Sequence, residues 1–205
     1  MPNHVTQIVE MSGPQEAIDA LKSAVSSTDD AGNELPFSLH KIIPRPDIFD
    51  KISSGGITID GEQVNRWVSE EINGERVNRK LNEEEIKAAE EAGASSWYDW
   101  CVNNWGTKWD VYSISEESPD NTFSFDTAWS PPMPAYEVLS ERHPDVSIKV
   151  KYIDEGWGFA GVTIFEKGMV VSETNIPCER DSVAFQDFYK EVYGELPDYW
   201  FEDEE

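Results

Sequence analysis

Apolar residues recur along the chain with two periods, and these periods predict a mixture of strands and helices. Near the start, alternation from Val5 to Met11 predicts a strand. Apolar positions three and four residues apart then predict an amphipathic helix over 14–27. A second extended piece is predicted over 37–43, because the prolines that follow disfavour its continuation.

Residues 47–95 differ in character, because few large apolar side chains lie among many charged ones. Two charged helices are predicted there, over 62–72 and 82–92. Asn82 is a plausible N-cap for the second helix, with Glu85 three residues later, as in a capping box. The segment is therefore interpreted as a helical excursion from the core and not as a domain with its own core.

The remaining chain is rich in aromatic residues, beginning with WYDWCVNNWGTKW over 97–109. Trp97, Trp100 and Cys101 can share one helix face, so this segment is predicted to be structural. The pattern then predicts, in order, a strand over 109–114, a strand in which Phe123, Phe125, Thr127 and Trp129 share a face, a helix over 134–142, strands from Ile148, Val162 and Met169, and a helix near 182–193.

This order of elements predicts the α+β fold class, with an antiparallel sheet and helices packed on one face. The length of 205 residues suits one sizeable core. We expect a single domain over 1–205, in which 47–95 is the excursion and 195–205 is an acidic tail.

Charge narrows the possible partners. The chain has 41 acidic and 16 basic residues, a formal charge of −25. Such a surface repels phosphate, which disfavours direct binding to nucleic acid or to an anionic membrane. A basic protein surface would be attracted, although acidity can also serve solubility alone.

The cellular location is predicted from what the sequence lacks. Cys101 and Cys178 are too few for a disulfide scaffold, which favours a reducing compartment. The N-terminus has no signal-peptide pattern, and no apolar run approaches 18 residues. We therefore expect a cytoplasmic protein.

No motif for catalysis, cofactor binding or metal binding is convincing. GWGFAG at 156–161 matches G-x-G-x-x-G, but strand-like residues follow it, which favours a hairpin turn over a dinucleotide site. His4, His40 and His143 are scattered, and neighbouring carboxylates are expected by chance in so acidic a chain. We therefore predict no catalytic residue, no cofactor, no metal and no intrinsic nuclease, phosphatase or peptidase activity.

Several segments of the chain have a distinctive sequence: MPNHV at 1–5, FSLHKIIP at 37–44, WYDWC at 97–101 with NWGTKW at 104–109, TAWSPP at 127–132, and EG with GFAG at 155–161. These segments resemble the YubB-type ferredoxin-like family of phage and conjugative-plasmid proteins, also called Api-like. The resemblance implies a ferredoxin-like sheet and a mobile-element origin, and it supplies no catalytic residue.

Two acidic surfaces are candidates for partner binding. The tail has an aromatic anchor rimmed by acid; the alternative is a solvated end whose aromatic residues dock on their own domain. The charged excursion is the competing surface. The predicted partner-binding residues are Tyr199, Trp200, Phe201, Glu202, Asp203, Glu204 and Glu205 in the tail, and Glu83, Glu84, Glu90 and Glu91 in the excursion.

These features favour a non-enzymatic protein that occupies the basic surface of a host protein. A nuclease, a restriction enzyme or a CRISPR effector would offer such a surface, and an acidic chain could mimic DNA there. Two alternatives stay open: an enzyme that acts through carboxylates with Mg²⁺ or Mn²⁺, and a ferredoxin-like sheet that presents aromatic residues to nucleic-acid bases.

Overall fold

The computed structural model describes residues 3–28, 31–115, 118–197 and 200. Runs of antiparallel strands are separated by helices, which is typical of the α+β class. The elements are β1 His4–Ser12, α1 Gln15–Val25, β2 Ser27–Thr28, β3 Glu34–Leu35, α2 Leu39–Ile42, α3 Ile48–Lys51, β4 Ile52–Ile59, β5 Glu62–Ile72, β6 Glu75–Arg79, α4 Glu83–Glu91, α5 Trp97–Asn104, β7 Thr122–Ala128, α6 Met133–Arg142, β8 Ser147–Asp154, β9 Ala160–Glu166, β10 Met169–Asn175 and α7 Val183–Tyr193.

The main sheet has five antiparallel strands in the order β10-β9-β8-β1-β7. β1 lies inside it, with Val5 opposite Thr127 on β7 and Asp154 on β8. Alternate β1 residues are buried, including Gln7, whose amide donates to Thr127 Oγ1 at 2.6 Å and accepts from Tyr136 Oη at 2.6 Å. This pairing satisfies the buried amide, which would otherwise be costly.

Helices cover both faces of this sheet. On one face α1 and α6 bury their apolar sides, through Leu21 and Leu139 among others, against Val9 of β1. On the other face α7 packs Phe185 and Phe188 against the alternate strand residues. The prediction of helices on one face is therefore wrong for α7, although the α+β class with an antiparallel sheet is confirmed.

An ion-pair network also fixes α7 to its face. Lys151 of β8 bridges Glu10 of β1 and Glu191 of α7, with N–O distances of 2.9 and 3.0 Å. Because Lys151 alternates with the buried Val150, it projects from the opposite face of the sheet, toward α7.

The excursion is mainly a three-stranded sheet, β4-β5-β6, so the predicted helix over 62–72 is wrong. Two type I′-like turns explain the difference. Asp60-Gly61 and Asn73-Gly74 have φ values of 51° and 82°, and 55° and 82°, and such Asx-Gly pairs close hairpins. The helix predicted over 82–92 is confirmed as α4, with the Asn82–Glu85 capping box.

This second sheet shares the core of the main one. Ile52 of β4 and Val68 of β5, together with Ala89 of α4, belong to the same buried cluster as Trp100 of α5. Trp100 and Trp105 are 4% and 2% exposed, which agrees with a structural role for the aromatic segment.

Two other predicted strands are absent from the described part of the chain. Residues 37–43 contain the short helix α2, because Asp110 accepts hydrogen bonds from Leu39 N and Ser38 Oγ, both at 2.7 Å, at its start. Residues 109–114 form only a bridge, between Tyr112 and Asp126. No helix in the described ranges is long and apolar enough to span a bilayer.

Candidate functional site

A cleft of about 440 Å³ opens between α7 and the ends of β1, β7 and β8. It lies on the α7 face of the sheet, where Thr6 of β1 and Asp126 of β7 stand side by side in paired register. Its lining is both acidic and aromatic: His4, Thr6, Ser113, Asp126, Glu155, Trp157, Tyr189 and Tyr193.

Two carboxylates are held in position at this cleft. Glu155 N donates to His4 O at 2.9 Å, and His4 N donates back to Glu155 Oε1 at 3.0 Å. Asp126 Oδ1 accepts from Thr6 Oγ1 at 2.7 Å. Within the described ranges neither carboxylate forms an ion pair with a lysine or arginine, so the cleft carries uncompensated negative charge.

Two tyrosines respond to this charge. Burial, followed by the negative charges of Asp126 and Glu155, raises the pKa of Tyr112 to about 12. Burial also raises the pKa of Tyr193, with smaller contributions from the same two carboxylates. Tyr112 Oη lies 2.9 Å from His4 Nδ1, which joins it to the cleft wall. The local field therefore opposes anions and favours a cation.

The backbone around the cleft adopts uncommon conformations. Trp157 and Ser113, which line it, have φ values of 58° and 52°, and the neighbouring Trp129 has 73°. A bulky residue in this left-handed region is a genuine outlier that surrounding contacts must stabilise. Trp129 N donates to Asn3 O at 3.0 Å, and Trp157 N donates to Asp154 O at 2.9 Å.

An aromatic shelf, formed by the rings of Trp109 and Trp129, adjoins the cleft. Lys108 Nζ lies 4.6 Å from the ring centre of Trp129 and 4.7 Å from that of Trp109. Trp109 in turn lies 6.3 Å from the ring of Tyr112, which connects the shelf to the cleft. Trp129 is 42% exposed, so part of its ring is open to a ligand.

This arrangement suits a cationic side chain. Carboxylates form their strongest hydrogen bonds with guanidinium and ammonium groups, and aromatic faces attract the same cations. The carboxylates of Asp126 and Glu155, beside the rings of Trp157 and Tyr193, offer both interactions within one cleft.

The four glutamates predicted on the excursion lie on α4, away from this cleft lining. Glu83, Glu84 and Glu90 are exposed, and Glu91 is 3.7 Å from Lys87. Glu83 and Glu84 occupy the first helical turn, where acid stabilises the helix dipole, so they have a local structural role.

The expectation of an exposed aromatic anchor is wrong for Trp200, which docks on its own domain as the alternative interpretation of the tail predicts. Trp200 is 6% exposed, and its ring lies 4.9 Å from Trp157, 4.8 Å from Tyr189 and 5.8 Å from Phe185. It covers the apolar side of α7 and supports the Trp157 wall of the cleft. The other predicted tail residues, Tyr199, Phe201, Glu202, Asp203, Glu204 and Glu205, lie outside the described residues.

The remaining candidate motifs have ordinary places in the fold. GWGFAG joins β8 to β9, so a strand follows it, as the hairpin interpretation predicts. Burial raises the pKa of Cys101, which is fully buried, and of Cys178. In the described ranges no three His, Cys, Asp or Glu side chains gather as metal ligands.

Sequence reasoning missed the cleft, although a signal was present. His4, Trp129 and Glu155 each lie in a segment that carries the family resemblance. In the fold these three segments meet. Asn3, beside His4, is hydrogen-bonded to Trp129 and to Asp154, and His4 is hydrogen-bonded to Glu155.

Comparison with known proteins gives a partial match. Residues 108–194, which include Asp126 and Glu155, match a family model described as a ferredoxin-like domain in Api92-like proteins. A crystal structure of a protein api92 from Yersinia pseudotuberculosis is 21% identical, with a TM-score of 0.36, over 41% of this chain and 31% of that one. No curated protein matches the chain. The family match confirms the ferredoxin-like class and the Api-like part of the sequence resemblance for this segment.

Proposed function

We propose that the protein binds a basic surface of a partner protein and accepts a lysine or arginine side chain in the cleft. The observation that carries this proposal is the pair of carboxylates, Asp126 and Glu155, which face aromatic rings and have no basic partner in the described structure. A buried cation would compensate both charges and stack on the rings.

The charge of the whole chain supports the same function. A formal charge of −25 produces a long-range field that speeds encounter with a basic surface and repels acidic competitors. The exposed acids of α4 contribute to this field. Specific recognition then takes place in the cleft, where rings and carboxylates have fixed positions.

The kind of partner follows from the origin that the sequence resemblance implies. A phage or plasmid benefits when it blocks host nucleases, restriction enzymes or CRISPR effectors, and these proteins have basic surfaces for nucleic acid. In this proposal the protein acts without catalysis in the bacterial cytoplasm, and its acidic surface takes the place of DNA.

A second candidate function rests on the shelf. Lys108 beside the partly exposed ring of Trp129 resembles the pairing of cation and aromatic residue that binds single-stranded nucleic acid. The overall charge opposes this function. Fluorescence anisotropy with labelled single-stranded DNA and RNA at low salt distinguishes the two, since only the second candidate predicts saturable binding.

The first proposal is tested with small ligands. Acetyl-arginine amide should shift the NMR signals of the Trp157 and Trp129 indole N–H groups in a saturable way. Acetyl-citrulline amide has the same shape without the charge, and it should cause little change. Equal shifts with both ligands, or none with arginine, would contradict a cation site.

A further inference from the structure

The two edge strands of the main sheet, β7 and β10, differ in whether their outer sides are covered. The outer edge of β7 is covered, because Tyr112 N donates to Asp126 O at 3.1 Å and Ser115 N donates to Ser124 O at 2.8 Å. β10 forms the opposite edge, and no strand in the described ranges pairs with its outer side.

β10 also exposes apolar side chains. All seven of its residues are exposed, and Met169, Val170 and Val171 are 62%, 45% and 51% accessible. An open strand edge is normally protected by charge, proline, a bulge or a covering segment, because it otherwise pairs with another chain. β10 has one charged residue, Glu173, one bulge between Val170 and Ser172, and no proline.

The sequence of this edge is complementary to itself. If two copies pair antiparallel about Val170, Met169 of each copy lies opposite Val171 of the other. The same register places Lys167, at the β9–β10 turn, opposite Glu173. In the described structure neither Lys167 nor Glu173 has an ion-pair partner within its own chain.

We propose that the outer edge of β10 is a self-association surface, where a second copy of this chain pairs antiparallel about Val170. The dimer continues the sheet from one copy into the other, and it buries the apolar residues between two Lys167–Glu173 pairs. The bulge between Val170 and Ser172 twists the strand, so the ladder is short and the dimer forms at high protein concentration.

The dependence on ionic strength distinguishes this self-association from binding to a basic partner. Two copies of charge −25 repel each other, and added salt screens that repulsion, so the dimer strengthens as ionic strength rises. Binding to a basic surface weakens under the same change. Failure of either proposal therefore leaves the other intact.

Sedimentation equilibrium of the full chain tests the proposal. The wild-type mass should rise from 23.2 kDa toward twice that value with concentration, and more steeply at high salt. Val170→Lys places two like charges opposite each other and should weaken the dimer about tenfold or more. Val183→Lys is the matched control, because it introduces the same substitution on α7, where Val183 is 69% exposed.

A charge exchange tests the register independently of folding effects at Val170. Lys167→Glu alone should weaken the dimer, and the double variant Lys167→Glu with Glu173→Lys should restore it. A wild-type mass that stays at 23.2 kDa at every concentration and salt would overturn the proposal. Equal dimerisation of Val170→Lys and Val183→Lys, or no restoration in the double variant, would overturn it as well.

Discussion

Two hydrogen bonds join His4 and Glu155: Glu155 N donates to His4 O at 2.9 Å, and His4 N donates to Glu155 Oε1 at 3.0 Å. The first bond continues the pairing of β1 and β8 beyond Val5–Asp154. The second fixes the carboxylate of Glu155 at the cleft. A site of this kind is preorganised, because little side-chain entropy is lost when a cation binds.

Removal of the Glu155 charge should lower the pKa of Tyr112. Burial and the two carboxylates raise that pKa from 10 to about 12, so the neutral hydroxyl stabilises the fold below pH 10, and this contribution is lost as the pH rises from 10 to 12. In Glu155→Gln the Tyr112 titration should move toward lower pH.

The measurement is a tyrosinate absorbance titration, with Tyr112→Phe subtracted to isolate one residue among seven tyrosines. Glu84→Gln removes the same charge on α4 and should leave the Tyr112 titration unchanged. A Tyr112 pKa that does not respond to Glu155→Gln would show that the carboxylate does not act on the cleft.

Trp200→Ala should destabilise the fold by about 3–5 kcal/mol, because a large buried ring would leave a cavity beside Phe185 and Trp157. Deletion of residues 202–205 keeps Trp200 and should cause little loss. Thermal melting of both variants decides the matter, and equal melting temperatures would contradict the packing role of Trp200.

The left-handed backbone conformation at Trp129 should lower the stability of the fold when any residue other than glycine occupies this position. Its φ of 73° suits glycine, so Trp129→Gly should be about 0.5–1 kcal/mol more stable than Trp129→Ala. Urea denaturation compares the two. A less stable glycine variant would show that the left-handed conformation costs nothing.

The sequence was sufficient for much of the main sheet and for several helices. Strand β1 and helix α4 follow from alternation and from the Asn82–Glu85 capping box. β5 was misassigned because its charged residues suggested a solvated helix, whereas the Asn73-Gly74 turn determines the hairpin.

The family resemblance marks the segments of His4 and Glu155, but it does not show that these residues line one cleft, because they are far apart in sequence. His4, Asp126 and Glu155 meet only through the pairing of β1 with β7 and β8. The burial of Trp200 was equally hidden, since an aromatic residue among acids has the same sequence pattern whether it is exposed or docked. Nothing in the sequence showed that α7 would cover the second face.

Salt should weaken partner binding through the rate of association. The charges of the excursion, including those of α4, act over distance, and salt screens them beyond roughly 8–10 Å at physiological ionic strength. With a basic partner protein, Glu83→Lys with Glu84→Lys should slow association more than it speeds dissociation. Surface plasmon resonance at several salt concentrations measures both rates, and a change confined to dissociation would argue for direct contact at α4.

The most direct test compares two double variants that lose the same charge. Asp126→Asn with Glu155→Gln neutralises the cleft, and Glu83→Gln with Glu84→Gln neutralises the start of α4. Calorimetric titration with a short oligo-arginine peptide should show about a tenfold or greater loss of affinity for the cleft variant and a small loss for the α4 variant. Equal losses, or a larger loss for the α4 variant, would contradict the cleft as the binding site.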